Sequence, residues 1–389
     1  MKFNMETLRN SRISRKDTGI YNIIRTIHPV GQGALYRESF YNSASERVRT
    51  VLYDCGSSPV SYVNTEIKSS FIDGDVIDLL FLSHFDYDHV SGLPELRKHC
   101  KIDMVVMPLF NSVQKMYMLV QGIDKLLITD PEAYFNGAKI VFVLPSDSKG
   151  TDPTDEEMPY DELPEIIASA SIIRMPVDVD WVYIPFNYES STRIEQFRNL
   201  FKEIPELSDV DFDDENQVNE LIKNADRRLI GKINNVFKQA FPDGANKISM
   251  ILYSGPAVSS QSILTISENK PVCAITPDGQ HRNEAAALYT GDTDLHQNNI
   301  IADLKSHLKG LDVNLGIVQL PHHGSIKNFT KDIWNLGRTG SSRLYFASYG
   351  TTNRYGHPSY DVVQETLVNH TFIPVTEKRN SALIQIIIK

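Results

Sequence analysis

The segment Ser83-His84-Phe85-Asp86-Tyr87-Asp88-His89 follows directly on an apolar run, Ile77 to Leu82, and brings two imidazoles and two carboxylates within six positions. Gathering such groups at a strand end carries heavy desolvation and repulsion costs, unless a divalent cation neutralises the carboxylates and takes the imidazole lone pairs. A fold that carries this segment must make strand ends converge on a metal site. The competing reading, a polar turn with a few helix caps, is the weaker of the two.

The chain has 389 residues, 41% hydrophobic and 23% charged, enough for a sizeable core in one large or two modest domains. Its net charge of -10 provides no global basic field, so any nucleic-acid contact must be local or metal-mediated. Cys55, Cys100 and Cys273 are odd in number, widely spaced and without a C-x-x-C pair. They indicate neither a disulfide framework nor a thiolate metal site and fit a reducing cytoplasm. Met1 to Lys16 is polar and mixed in charge, and no apolar stretch reaches the ~18 residues that span a bilayer. The expectation is a soluble, cytoplasmic protein with no membrane partner.

Strands are expected at Tyr21 to Val30, Val48 to Tyr53, Ile77 to Leu82, Asp103 to Met107, Lys139 to Leu144, Ile248 to Tyr253, Ala285 to Tyr289, Val313 to Leu320, Leu344 to Ser348 and Leu383 to Ile388. Helices are expected at about Ser112 to Leu127, Arg193 to Lys202, Asn216 to Phe241, Gln297 to Lys309 and Tyr360 to Val368. Strand runs and helices in both halves favour sheets sandwiched between helices. The stretch from about 146 to 245 differs, with a proline-punctuated acidic run, Thr151 to Glu165, and a second, Asp209 to Glu215, ahead of a long helical pattern. It reads as an inserted acidic, partly helical lid or docking subdomain within a single 1–389 domain, although a charge run is most simply a solvated face.

Three other strand ends offer ligands. Val51-Leu-Tyr-Asp54-Cys-Gly56 and Leu288-Tyr-Thr-Gly291-Asp292-Thr293 each place an Asp there, and Gln319-Leu-Pro-His322-His323-Gly324-Ser325 places two adjacent imidazoles. Each alone reads as a turn or cap, but with the first segment they form an ordered series.

In this order of motifs the chain resembles the metallo-β-lactamase superfamily, whose signature is a His-x-His-x-Asp-His segment with further ligands after later strands. Within it, the chain is most similar to the lactamase-like domain of competence DNA-uptake proteins of the ComEC type. The shared motifs are Val30-Gly31-Gln32-Gly33, the His-x-Asp-x-Asp-His form, Gly291-Asp292, Pro321-His322-His323-Gly324-Ser325 and Asn353-Arg354-Tyr355-Gly356-His357-Pro358. The resemblance covers roughly 21–145 and 246–389 and implies an α/β (α+β) fold, an αββα sandwich, in a free-standing relative without the transmembrane channel of those larger proteins.

Residue by residue, the resemblance implies that His84 and Asp86 hold one metal, that Asp88 and His89 hold the other, and that Asp292 bridges them. His322 or His323 completes the second site. Asp86 stands where the usual second His would, and its oxygen shifts preference from zinc toward manganese or magnesium. The superfamily's middle histidine has no counterpart, since His99 is the only histidine between His89 and His281. Asn246-Lys-Ile-Ser249 stands at that place, so the first ion is held weakly or partly by water, and one-ion occupancy is an alternative to two. The cofactor is thus one or two divalent ions, manganese or zinc first, then magnesium.

The implied activity is metal-dependent phosphodiester hydrolysis by an activated hydroxide, with Asp88 and Asp292 orienting it or relaying its proton. DNA is the leading substrate. The alternatives are a cyclic or linear nucleotide, and a component of a multi-protein assembly, such as one for defence, that a regulatory protein partner switches. Ser325, Lys327, Arg354 and His357 are substrate-binding candidates, with turn-capping as the simpler role for the last two. Gly31 and Gly33 read as turn formers, and Phe85 and Tyr87 as core packing between the ligands.

Overall fold

The structure, a computed structural model, describes residues 22–42, 44–146, 157–175, 180–188, 194–240, 249–257, 262–267, 284–297 and 299–388. Expectations for Met1 to Lys16, Cys273, His281, the start of the acidic run, and residues 246–248 lie outside them.

In chain order the strands are β1 Asn22–Ile27, β2 Gly33–Tyr41, β3 Arg47–Ser57, β4 Asp75–Ile77, β5 Leu79–Phe81, β6 Cys100–Ile102, β7 Met104–Pro108, β8 Lys139–Val143, β9 Glu157–Pro159 and β10 Ile166–Ile167. They continue as β11 Ile172–Arg174, β12 Trp181–Phe186, β13 Ile251–Pro256, β14 Ser262–Ser267, β15 Ala286–Tyr289, β16 Leu315–Gln319, β17 Leu344–Ser348, β18 Thr371–Val375 and β19 Leu383–Ile388. The helices are α1 Val60–Ser70, α2 Tyr87–Val90, α3 Leu93–His99, α4 Ser112–Val120, α5 Lys125–Thr129, α6 Pro131–Tyr134, α7 Ile194–Lys202, α8 Glu215–Asn224, α9 Arg227–Ala240, α10 Ile300–His307 and α11 Tyr360–Asn369.

Two large sheets result, one ordered β10-β8-β7-β5-β3-β2-β1-β19-β14 and the other β18-β17-β16-β15-β13-β12-β11-β9, with β4 and β6 as a separate pair. Alternation along the strands explains why they stack. In β3 and β5, Leu52 and Leu80 face the helices while Val51, Tyr53, Leu79 and Phe81 face the opposite sheet; in β12, Val182 and Ile184 face outward and Trp181 and Tyr183 inward. Both faces of each sheet are covered, so the strands read as continuous apolar runs, and the layers are α/β/β/α, the sandwich the sequence implied.

Several elements depart from the expected ones. The apolar run from Ile77 to Leu82 divides at Asp78 into β4 and β5, in different sheets, because the buried Asp78 carboxylate accepts the Thr50 N–H at 2.7 Å. The helix after Ser112, started by an Asn111–Gln114 capping box, ends before Gly122, which is left-handed at φ 77. The long helix from Asn216 is two, broken where Ala225 turns to ψ 122. Of the 146–245 stretch, β10 joins the first sheet, β9, β11 and β12 join the second, and α7 to α9 pack on α4 through Tyr117–Phe237 and Lys115–Glu215 contacts.

β2 was not expected, because Arg37, Glu38 and Ser39 interrupt its apolar pattern. The structure shows why a strand tolerates them. Glu38 is buried between the sheets and accepts from Arg25 Nε at 2.7 Å, Tyr183 Oη at 2.6 Å, Tyr289 Oη at 2.9 Å and Ser254 Oγ at 2.7 Å. Arg25 also donates to the Ala285 carbonyl and the Gln385 side chain. Burial alone would push the Glu38 carboxyl up, but Arg25 and the hydroxyls outweigh it and hold it below the usual range.

Arg25→Leu leaves that carboxylate buried without its cation, and should cost about 3–5 kcal/mol in urea denaturation, whereas Arg25→Met with Glu38→Leu should cost clearly less. Because the folded pKa of Glu38 lies below its unfolded value, its contribution is present above the usual glutamate range and lost as pH falls through and below it, so the double variant should show a shallower acid limb.

Candidate metal centre

The site stands at the carboxyl ends of parallel strands. β3 and β5 run parallel with Tyr53 opposite Phe81, which sets Asp54 beside Ser83; β15, β16 and β17 are parallel to one another and end near Asp292, His322 and Ser348. Short α2 carries Asp88 and His89 and lies directly against β2 and β3. Only glycine permits this approach, since a Cβ on Gly56 would stand 2.5 Å from the Asp88 carbonyl carbon and one on Gly33, at φ 149, 2.5 Å from the Asp88 oxygen. The turn role expected of Gly33 is thus a close backbone contact beneath the ligand loop.

Four histidines converge with the same orientation: the Nδ1 side of each ring is tied back and Nε2 is directed inward. His89 Nδ1 donates to Asp54 Oδ2 at 2.7 Å, His323 Nδ1 to the Ser348 carbonyl at 2.7 Å, and His322 Nδ1 to Asn328 Oδ1 at 3.0 Å. His84 Nδ1 lies 2.8 Å from Ser83 Oγ and 3.1 Å from Ser249 Oγ. Fixing the far nitrogen in this way sets the tautomer that frees Nε2 as a ligand.

The inward distances form a second, longer set. His84 Nε2 is 3.8 Å from Asp86 Oδ2 and 3.7 Å from Asp292 Oδ2, and His322 Nε2 is 3.6 Å from that same oxygen. On the other side, His89 Nε2 is 3.3 Å from Asp292 Oδ1, while His323 Nε2 is 3.2 Å from Asp88 Oδ2 and 3.9 Å from Asp292 Oδ1. Metal bonds of about 2.0–2.2 Å hold neighbouring ligand atoms about 3.0–3.6 Å apart, close to these spacings. His84 Nε2, His89 Nε2 and Asp292 Oδ1 are also buried without a hydrogen-bond partner. Each such atom costs about 1–3 kcal/mol unless something satisfies it, so the donor set fits a divalent cation on each side of Asp292.

Asp54 belongs behind this set. Its Oδ1 accepts the Ser83 N–H at 2.7 Å, and its Oδ2 accepts the Ser83 hydroxyl at 2.6 Å and His89 Nδ1–H, leaving it to orient His89 rather than to ligate. Ser249 is buried, accepts the Asp292 N–H at 2.9 Å and faces His84. The expected ligands His84, Asp86, Asp88, His89, Asp292, His322 and His323 all come together. The orienting residues Ser83, Ser249, Asn328 and Ser348 were not foreseen; Ser83 adjoins His84 in sequence, but nothing local marks the others.

Residues 48–138 match the family model described as metallo-beta-lactamase superfamily. The α/β/β/α layering is consistent with the sandwich fold of that superfamily. No curated protein matches the chain. Among solved structures, it is similar to unliganded yeast PDE1, at 9% identity and TM-score 0.43 over 95% of this chain and 99% of that one. It is also similar to zinc-bound PqqB from Methylobacterium extorquens, at 9% identity and TM-score 0.39 over 90% and 97% of the two chains. MEM-A1, a subclass B3 metallo-beta-lactamase from a soil metagenome library, gives 13% identity and TM-score 0.27 over 80% and 79%.

Backbone geometry decides what the side chains of the double histidine reach. His322 and His323 are both left-handed, at φ 47 and 57, a conformation that costs roughly 1–2 kcal/mol for each L-residue. In an extended segment adjacent side chains point to opposite faces; here both rings reach one carboxylate. Burial opposes charge on Asp292, but His89, His322 and His323 outweigh it and hold its pKa well below the usual range. Burial likewise opposes charge on His89, where Asp292 and Asp54 prevail and raise it.

Lys327, near His357, and Arg354 are exposed, and His357 is half-buried with its ring 5.3 Å from that of His322. Burial first, and then His322 and His323, push the His357 imidazole down to about 4. Ser325 is buried, and its Oγ accepts the Lys327 N–H at 3.3 Å, a turn contact. Phe85 packs edge-on against Phe110, as expected of a core residue, but Tyr87 is 47% exposed, because the helical turn of α2 directs it away from the sheet.

Asp54→Asn retains the shape but weakens the acceptor for His89 Nδ1. It should lower divalent-metal affinity by about 10–100-fold in a chelator competition titration, with an unchanged circular dichroism spectrum.

Proposed function

We propose that this centre hydrolyses phosphodiester bonds, with DNA as the substrate. The reading rests on one observation: Asp292 presents one carboxylate oxygen to His84 and Asp86 and the other to His89 and His323, so two half-sites share a bridging carboxylate. Manganese, zinc or magnesium ions held there supply an activated water and neutralise charge on phosphoryl oxygens. The oxygen-rich pair Asp86 and Asp88 favours manganese.

The chain's own groups take the remaining roles. Asp292 fixes the spacing of the half-sites, and Asp88, restrained by His323, orients the attacking water and receives its proton. Lys327 and Arg354 at the mouth bind the non-bridging oxygens of the phosphate. Neutral His357 packs beside His322 and shapes the entrance.

A second reading, a cyclic or linear nucleotide as substrate, is favoured by the net charge of -10, because a long polyanion gains most of its affinity from an extended cationic track.

Purified protein is incubated with linear DNA, circular DNA and a set of cyclic dinucleotides, each with manganese, magnesium or zinc. DNA cleavage that falls at least about 10³-fold in Asp292→Asn, a loss of the size expected when an electrostatic catalytic group is removed, supports the nuclease. Cleavage of the small nucleotides alone replaces it with the second reading. Full activity in Asp292→Asn rejects the bridged site.

A further inference from the structure

The shared carboxylate raises a question of ligand count, because the two half-sites are unequal. Among the described residues, Asp88, His89 and His323 supply three side chains on the Oδ1 side of Asp292, whereas the first motif gives the Oδ2 side His84 and Asp86 alone. Ser249 stands where a third ligand would come from, and that place is closed: Ser249 is buried, its Oγ accepts the Asp292 N–H, and its Cβ lies 2.7 Å from where a Cβ on Gly291 would be.

We infer that His322 is the third protein ligand of the first ion, entering across Asp292 in place of the absent middle histidine. The inference rests on the metal-centre reading above and adds to it which residue closes which half-site. His322 Nε2 lies 3.6 Å from Asp292 Oδ2, matching the 3.7 Å of His84 Nε2 to that same atom, so both rings flank one oxygen at the spacing of ligands about a common ion.

The ring is also held as a ligand is held. Asn328 Oδ1 accepts His322 Nδ1–H at 3.0 Å, and Asn328 Nδ2 donates to the Asp292 carbonyl at 3.0 Å, so one amide fixes both the imidazole and the loop that carries the shared carboxylate. The His322 N–H further donates to the Gly291 carbonyl. Two consecutive left-handed residues are what brings His322 and His323 to opposite oxygens of Asp292. With His322 39% exposed and the other three imidazoles buried, the first ion is the one that faces solvent and substrate.

The test counts manganese per chain in the full-length protein by elemental analysis after gel filtration, and reads whether the ions are coupled by electron paramagnetic resonance. Wild type should hold two ions with an exchange-coupled signal. His322→Ala should retain one, with the six-line signal of an isolated ion, and His323→Ala should lose the other; circular dichroism checks that both variants fold. Asn328→Ala, which leaves the ring present but unheld, should weaken the ion that His322→Ala loses by about 10–100-fold. Two coupled ions in His322→Ala overturn the inference and leave His322 as a proton donor or substrate contact. A wild type that holds a single ion overturns it as well while leaving a one-ion hydrolase intact, and loss of both ions in a folded His322→Ala overturns its confinement to the first half-site.

Discussion

The Asp292 carboxylate is the group on which the rest of the site depends. It is buried, stands after the last residue of β15, and is faced by Nε2 of His84 and His322 on one oxygen and of His89 and His323 on the other. Those imidazoles come from different sheets: His84 and His89 follow β5 of the first, while His322 and His323 follow β16 of the second. A single charge therefore requires the two sheets to end in register. The Arg25–Glu38 cluster meets that requirement inside the sandwich, joining β1 and β2 to β12, β13 and β15 through Tyr183, Ser254 and Tyr289. Tyr289 immediately precedes the loop that carries Asp292, and it stacks on Tyr53, which precedes Asp54, with ring centroids 5.1 Å apart. The buried ion pair thus ties the two sheets together beside the strand ends from which the candidate ligands leave.

Around that carboxylate the hydrogen bonds divide the labour cleanly. Every imidazole has Nδ1 engaged at 2.7–3.1 Å by a group that ligates nothing: a carboxylate, a backbone carbonyl, an amide or a hydroxyl. The inward Nε2 distances to Asp292, 3.3–3.9 Å, are longer than a good hydrogen bond, while His323 Nε2 stands 3.2 Å from Asp88 Oδ2, within hydrogen-bond reach. A polar cluster that existed for stability would close those inward gaps. The left-handed residues at His322 and His323 and the glycine contacts beneath α2 point the same way, since each carries a conformational cost that packing alone does not require.

The convergence of the candidate residues was legible in the sequence because each group of them follows an apolar run. The segment from His84 to His89, the Gly291-Asp292 pair and the double histidine all follow apolar runs, so their convergence could be read before any coordinates. What could not be read depended on closure in three dimensions. β2 was hidden because Glu38 is polar in sequence and meets its partners only when the sheets stack. Asp78 divides an apolar run by accepting a backbone N–H from β3, which no local pattern announces. Asp54 was visible as a candidate at a strand end, but whether it ligates or orients a ligand depends on Ser83 and His89 saturating its oxygens. The two histidines after β16 are adjacent in sequence, and only their left-handed backbone separates their targets.

Charge connects the site to its surroundings. Without ions, Asp86, Asp88, Asp292 and, behind them, Asp54 place four carboxylates within one small volume of a chain that is already acidic overall. The neighbouring carboxylates raise the pKa values of His89 and His323 against the effect of burial. Two divalent ions held there would bring the same four carboxylates to neutrality. Under the proposed function, the exposed cations Lys327 and Arg354 are the groups that would meet an anionic substrate. On that proposal, an acidic protein would act on an anionic substrate through attraction that is local and conditional on metal.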